Sequence, residues 1–259
     1  MKLLSLNLWG GLKPELLPYI REQSKDTDIF CFQEVYDTDS GVQEVDGFRA
    51  GLLGELKQLL PDFDYYYEPT YWSWVNVTKV DFKVSEGQAT FVRRSLKILE
   101  TDARYIYGDK SVEIRQDFTN EPKNVVGTLL EANGKQLFVA NVHGLWFPGD
   151  KHDTPDRIKQ SEIILEFVKG RKQPTIICGD FNLEPETESV KILERAGYRN
   201  LIREYNITNT RNENSWLAHN NKQYYADFTF TTPDVQAKKF EVPHNLVSDH
   251  LPMILEFEI

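Results

Sequence analysis

The chain is short of cysteine, of net positive charge and of long apolar stretches. It has two cysteines in 259 residues. Both Cys31 and Cys178 lie inside apolar runs, IFCFQ and IICGD. That argues against a disulfide framework or a cysteine-held metal and reads as two reduced core residues. A chain of this length buries a sizeable core without staples. Lys and Arg total 30 against 40 Asp and Glu, a formal net charge of −10. Sequence-independent binding along a DNA backbone is driven by cations that release counterions. Broad DNA affinity is therefore disfavoured, and a local basic patch is the route left open to nucleic acid. No stretch reaches the apolar length of a membrane span. The N-terminal MKLLSLNLWGG has one Lys and a very short apolar run. It reads as a first strand rather than a secretory signal, so a cytoplasmic location is expected. Repeats, low-complexity tracts and linkers are also missing.

What is present is a mixture of strands and helices. KLLSLNLW and DIFCFQEV read as buried strands. PELLPYIREQ between them reads as a helix with Pro14 near its first turn and Leu16 and Ile20 at helical spacing. A further helix lies within 47–60, in GLLGELKQLL, stopped by Pro61. FDYYYEP, GQATFVRR and LKILETDARYIY are extended. VVGTLLEANGKQLFVANVHG is a hairpin turned by Asn133-Gly134. TPDRIKQSEIILEFVKG is the clearest helix, with Thr154 as N-cap and Pro155 at its first position. PTIICGD is a strand, ESVKILERAG a helix, and ADFTFTT, KKFEVP and LPMILEFEI are late strands. Hairpins without strict strand–helix alternation favour two packed sheets with helices outside.

Several strands end in the same way, on polar residues. The first ends at Asn7, the second at Gln33 and Glu34, the hairpin's return strand at His143, and PTIICGD at Asp180 with Asn182 close behind. Asp227 heads a strand, and Ser248-Asp249-His250 precedes the last one. A carboxylate at the edge of a core is costly unless it is paired or metal-bound. Singly, each such residue is more often a cap or turn residue. As a set, Asn7, Glu34, Asp180, Asn182 and Asp249 are oxygen donors suited to a hard cation such as Mg²⁺. His143 and His250 add groups that carry protons near neutral pH or donate to a phosphate oxygen.

LSLNLWG, FCFQEV, VANVHG, ICGDFNLEP, ADFTF and VSDHLPMI occur in that order. Together they resemble the endonuclease/exonuclease/phosphatase superfamily, over essentially the whole chain. The resemblance implies one domain, 1–259, with a four-layer α/β sandwich fold: two packed mixed β-sheets flanked by helices. It implies Glu34 as principal metal ligand with Asn7 beside it, and Asp249 holding the metal or positioning the histidine. Asp180 would orient or deprotonate the attacking water, and Asn182 would bind the phosphate or that water. His250, hydrogen-bonded to Asp227, would contact the scissile phosphate, and His143 would bind the phosphate in the transition state. Abasic-site members carry an acidic residue where this chain has Trp9, so the resemblance leans away from that branch.

The expected activity is therefore hydrolysis of a phosphate ester, a phosphodiester first, with Mg²⁺ or Mn²⁺ as cofactor and a monomeric enzyme. The alternatives are a DNA or RNA nuclease and a non-catalytic binder of a phosphorylated ligand. His219 and His244 read as solvated loop residues, and His152 as a loop residue that is either solvated or within reach of substrate. Arg157 and Gln160 share a helix face, either exposed or bracing the rim of the site. Tyr65 to Tyr67 read as core filling. Trp72, Trp74, Trp146 and Phe147 read as loop rings able to stack on a base or pack on a lipid or sugar.

Overall fold

The computed structural model describes residues 1–214 and 223–259; His219 lies outside them. The first half runs β1 (Lys2–Asn7), a 3₁₀ turn (Trp9–Gly11), α1 (Leu16–Gln23), β2 (Ile29–Asp37), β3 (Glu44–Val45), β4 (Phe48–Arg49) and α2 (Leu52–Leu59). It continues with β5 (Phe63–Trp72), β6 (Trp74–Val75), β7 (Thr78–Lys79), β8 (Ser85–Arg93) and β9 (Lys97–Tyr107). The second half runs β10 (Lys123–Ala132), β11 (Lys135–His143), α3 (Pro155–Val168), β12 (Thr175–Asp180), α4 (Glu188–Arg195) and β13 (Arg199–Asn200). It closes with α5 (Leu201–Glu204), β14 (Asp227–Thr231), β15 (Gln236–Glu241) and β16 (Met253–Glu258).

Two six-stranded mixed sheets result, in the orders β15-β16-β1-β2-β8-β5 and β13-β14-β12-β11-β10-β9. Strand alternation decides what lies on each face. Leu3, Ile29 and Cys31 point to the core shared with the second sheet, where Cys178, Ile176 and Val139 meet them. Their neighbours Leu4, Leu6, Phe30 and Phe32 point the other way, onto Leu16, Ile20, Leu52 and Leu56 of α1 and α2. Ile164 and Phe167 of α3 and Leu193 of α4 cover the far face of the second sheet. The order is helix, sheet, sheet, helix, as the resemblance implied. Both cysteines are free and buried.

Some boundaries differ from the sequence reading. Pro14 lies outside α1, which instead carries Pro18 at its third position, where no intrahelical N–H bond is due. The helix read in GLLGELKQLL is α2, Leu52–Leu59. Strand β5 runs on to Trp72. It is an edge strand, so the core-filling reading holds only in part: Tyr67 packs against the core under α1 and α2, whereas Tyr65 is 40% exposed and stacks on Phe91 at 5.5 Å, and Tyr66 is half-buried.

Two pairs of strands are parallel, β1 with β2 and β11 with β12. Their C-terminal ends emerge together at one edge of the sandwich. Buried amides tie the two sheets there: Gln33 Nε2 donates to Asn141 Oδ1 at 2.6 Å, and Asn141 Nδ2 donates to the Phe32 carbonyl at 3.1 Å.

Candidate active site

The strand ends place the polar residues in a row. In the second sheet His143 is the register partner of Asp180, and Asp180 is the partner of Asp227. Residues in register across a sheet share a face, so the three side chains stand abreast, facing the first sheet. Asn7 meets them from that sheet. Its Nδ2 donates to Asp180 Oδ2 at 3.1 Å and to Glu34 Oε1 at 2.9 Å. Its Oδ1 accepts from the Trp9 amide at 3.0 Å. Asn7 thus ties two carboxylates together, where the sequence reading had it offering an oxygen to a metal.

Glu34 reaches the cavity through a bulge, where the β2–β8 register breaks between Phe32 and Val35. Its backbone is left-handed, with φ of 55°. Trp9 (φ 48°), Lys151 (φ 60°) and Asn182 (φ 54°) share that conformation. Such φ values are uncommon outside glycine and cluster at functional sites. Gly179 is required for a different reason: a Cβ there would meet the Val142 carbonyl oxygen at 2.1 Å.

Asp180 is nearly fully buried, yet it is ionised. Burial opposes its charge, but His250, Lys151, His143 and Arg211 together hold its carboxyl well below the usual carboxylate range. Asn182 fixes its direction, donating from its backbone N to Asp180 Oδ1 at 2.9 Å and from Nδ2 to Oδ2 at 3.2 Å. The Asn182 Oδ1 accepts from Lys151. The carboxamide is thus engaged by the protein and positions its neighbours, whereas the resemblance implied direct contact with phosphate or water.

The two histidines sit differently. His250 Nδ1 lies 2.9 and 2.8 Å from the two Asp227 oxygens, and its Nε2 is 2.6 Å from Arg211 Nη1 and 3.5 Å from Asp180 Oδ2. Burial and Arg211 oppose a charge on His250, and Asp227, Asp249 and Asp180 outweigh them, so its pKa is raised. His143 Nε2 lies 3.0 Å from Lys123 Nζ. Lysine only donates, so Nε2 is the acceptor and Nδ1 carries the proton. It faces Glu86 Oε1 at 3.6 Å. Burial, then Lys123, push the His143 pKa well below the ordinary value. Its Nε2 is thus engaged by Lys123 in the structure.

Glu34 keeps 28% of its side chain open. Burial of the rest, then the Asp249 charge, push it up to about 7 against Lys123 and Asn7. Two carboxylates that repel each other this way suit a divalent cation between them. Asp180, Asp227 and His250 also lie close enough together to hold an ion. There Asp227 already accepts from Nδ1 of His250, and Arg211 covers its Nε2, which leaves Glu34 and Asp249 as the better fit.

These groups surround a cavity of about 410 Å³, also lined by Trp9, Tyr71, Phe118, Trp146 and Glu121. Trp74 is buried in β6, edge-on to Phe118 at 5.1 Å. Trp72 closes β5 beside a separate small depression, and Phe147 and His152 are exposed outside the cavity lining. His244 is exposed, as read. Arg157 and Gln160 are both fully buried, which overturns the exposed-face alternative and leaves the brace. Gln160 Oε1 accepts from Leu145 N at 2.7 Å and its Nε2 donates to the Phe181 carbonyl at 3.2 Å, joining the loops after β11 and β12.

Glu86, Glu121, Lys123, Lys151 and Arg211 were missed by the sequence reading. For Glu86 and Lys123 a signal existed: each is a charged residue at the lip of a buried run, in SEGQATF and KNVVGTLL. Lys151 and Arg211 lie in polar loops that carry no motif.

A model of the Endonuclease/Exonuclease/phosphatase family matches residues 4–250. The chain belongs to this family. Among curated proteins none matches the sequence. Similar solved structures include a mannosyl-6-phosphatase of Bacteroides thetaiotaomicron VPI-5482, with TM-score 0.72, 20% identity and 100% of both chains covered. The human Nocturnin catalytic domain has TM-score 0.67 at 19% identity, over 100% of this chain and 94% of its own. A TDP2 of D. rerio humanized by 14 mutations has TM-score 0.64 at 14% identity, over 100% of this chain and 99% of its own. At such identities the likeness is one of fold. The family as a whole places this chain among hydrolases acting on phosphate esters, and Asp180, His250 and Glu34 stand where its fold gathers strand ends.

Proposed function

We propose that this family member hydrolyses a phosphate ester by in-line attack of water on phosphorus, with Mg²⁺ or Mn²⁺. The observation that carries the reading is Asp180, ionised although buried, held by Asn7 and Asn182 and faced by His250 across 3.5 Å. A carboxylate fixed this way accepts a hydrogen bond from a water and aims its oxygen. Its low pKa makes it a weak final proton acceptor, so aiming is its main task. His250 and Arg211 both point donors at one place. A protonated His250 cannot accept from Arg211, and a phosphate oxygen between the two satisfies both. Lys123 supplies a further donor on the opposite wall.

Glu34 and Asp249 would hold the cation, with Asn7 orienting Glu34. A bound Mg²⁺ or Mn²⁺ supplies Lewis-acid polarisation of a phosphoryl oxygen. All the donors on that side are oxygens, which suits these ions better than Zn²⁺. The sequence reading puts a phosphodiester first, and both esters present a phosphorus and a leaving oxygen to the same groups. A nuclease would need cations free to track a backbone. Here Lys123 is paired with Glu121, and Arg211 with Asp249 at 3.1 Å.

The test is a panel of p-nitrophenyl phosphate, bis(p-nitrophenyl) phosphate, RNA and random duplex DNA, assayed with Mg²⁺ or Mn²⁺ and with EDTA. Turnover of a small ester that EDTA abolishes and either ion restores is expected. Full turnover after exhaustive chelation would remove the metal from the mechanism. Phosphate binding with no ester turned over would leave a non-catalytic binder.

A further inference from the structure

Lys151 has the least expected place in the molecule. It is 4% exposed, lines the cavity, and its ammonium donates to Asn182 Oδ1. Among the described residues no carboxylate forms an ion pair with it. The other two cavity cations, Lys123 and Arg211, each have one. The charge opposing Lys151, Asp180, is reached through Asn182 rather than directly, and an enclosed ammonium with no carboxylate in contact is costly.

The loop that delivers it is built for the purpose. Arg157, fully buried, donates to the carbonyls of Leu145 at 3.3 Å, Trp146 at 2.9 Å and His152 at 2.6 Å, and to that of Pro148. It also reaches Asp150 at 3.2 Å. Glu184 N donates to the Lys151 carbonyl at 3.0 Å. Lys151 itself is held at φ 60°, a conformation disfavoured for a residue with a Cβ. A buried guanidinium and a strained backbone thus combine to point one unpaired ammonium at the space beside Asp180.

We propose that Lys151 binds a second anionic oxygen of the substrate's phosphate, so that the substrate is a phosphate monoester. The proposal rests on the phosphoester-hydrolase reading and narrows it, and the diester expected from sequence gives way to a terminal phosphate. A diester carries one negative charge. A monoester has a second ionisation near a pH of about 6 and is close to a dianion at neutral pH. His250, Arg211 and Lys123 match one charge in the first case. The second charge needs a cation with no carboxylate in direct contact, and Lys151 is that cation. In the reaction the water oxygen bonds phosphorus while the ester oxygen leaves with the bonding pair. One proton of the water ends on the leaving oxygen, and the products are an alcohol and inorganic phosphate.

The experiment compares wild type with Lys151→Met on p-nitrophenyl phosphate and bis(p-nitrophenyl) phosphate. Calorimetric binding of inorganic phosphate and of dimethyl phosphate to both proteins runs beside it. The ratio of monoester to diester kcat/KM should fall about 10- to 100-fold in the variant, the size of one charge-assisted hydrogen bond. Inorganic phosphate should bind wild type at least tenfold tighter than dimethyl phosphate, an advantage lost in the variant. An unchanged ratio, or equal binding of the two phosphates by wild type, overturns the proposal. The wild-type binding comparison decides it even if the variant fails to fold. If neither ester is turned over, the hydrolase reading falls, while a phosphate preference lost with Lys151 still establishes the dianion site.

Discussion

Two buried histidines face one cavity under opposite electrostatics. On one wall His143 stands against Lys123, with Glu121 and Glu86 behind, and is held neutral. On the other His250 stands against Asp227, Asp249 and Asp180, with Arg211 beside it, and its pKa is raised. The residue type is the same and so is the burial. The difference comes from which partner each ring nitrogen meets, a lysine at Nε2 or an aspartate at Nδ1. One wall therefore presents the lysine's charge with the histidine as its support, and the other presents the histidine itself.

The comparison breaks most sharply at Asp180, the carboxylate that faces Nε2 of His250 at 3.5 Å. Asp180→Asn keeps the shape and removes the charge. Its kcat should fall by about 10²–10⁴, with KM little changed and a normal melting curve. Steady-state kinetics and calorimetry on the one variant decide it, and a wild-type rate would reduce GDFN to a strand-end turn.

The neutral wall should respond less in rate and more in stability. Lys123→Met frees Nε2 of His143 and strips Glu121 and Glu86 of their cation. A loss of about tenfold in kcat/KM is expected, with destabilisation of roughly 3–5 kcal/mol from the broken buried pair. If its rate loss equals that of Asp180→Asn, the two walls are equivalent and the contrast between the histidines has no functional weight.

The smallest effect is on stability against pH. Burial, then Arg211, lower the Lys151 pKa from 10.5 to about 8. Between those values the unfolded chain binds a proton that the folded protein does not. This group therefore adds stability as pH rises from about 8 to about 10.5, and the contribution is lost as pH falls through about 8. Melting temperatures of wild type and Lys151→Met across that range measure it. The wild type should gain on the variant as pH rises, and a constant difference would show that the ammonium is solvated.

Much of this was legible in the sequence because both the strands and the site residues leave local marks. An apolar run ending on Asn7, Glu34, His143 or Asp180 announces a strand and a polar end at once. The structure brings those ends to one edge because β1 with β2 and β11 with β12 are parallel. The supporting cations were not legible for physical reasons. Lys151 owes its position to the Arg157 guanidinium that gathers its loop's carbonyls, and Arg211 to its bridge with His250, and such pairings have no period. Left-handed backbone at Trp9, Glu34 and Lys151 is equally silent, since none of the three is a residue that invites it. Where the pattern was read through composition alone, as for Tyr65 of β5, an edge strand defeated it.

The amide pair of Gln33 and Asn141 joins the sheets one residue from Glu34 and two from His143. The candidate site and the seam of the sandwich therefore lie within two residues of each other. Parting the sheets unmakes the site in the same event, and assembling the site requires that both halves of the chain have already found each other. A nascent chain still lacking its second sheet would hold Asn7 and Glu34 with nothing opposite them. Competence would arrive late in synthesis and all at once.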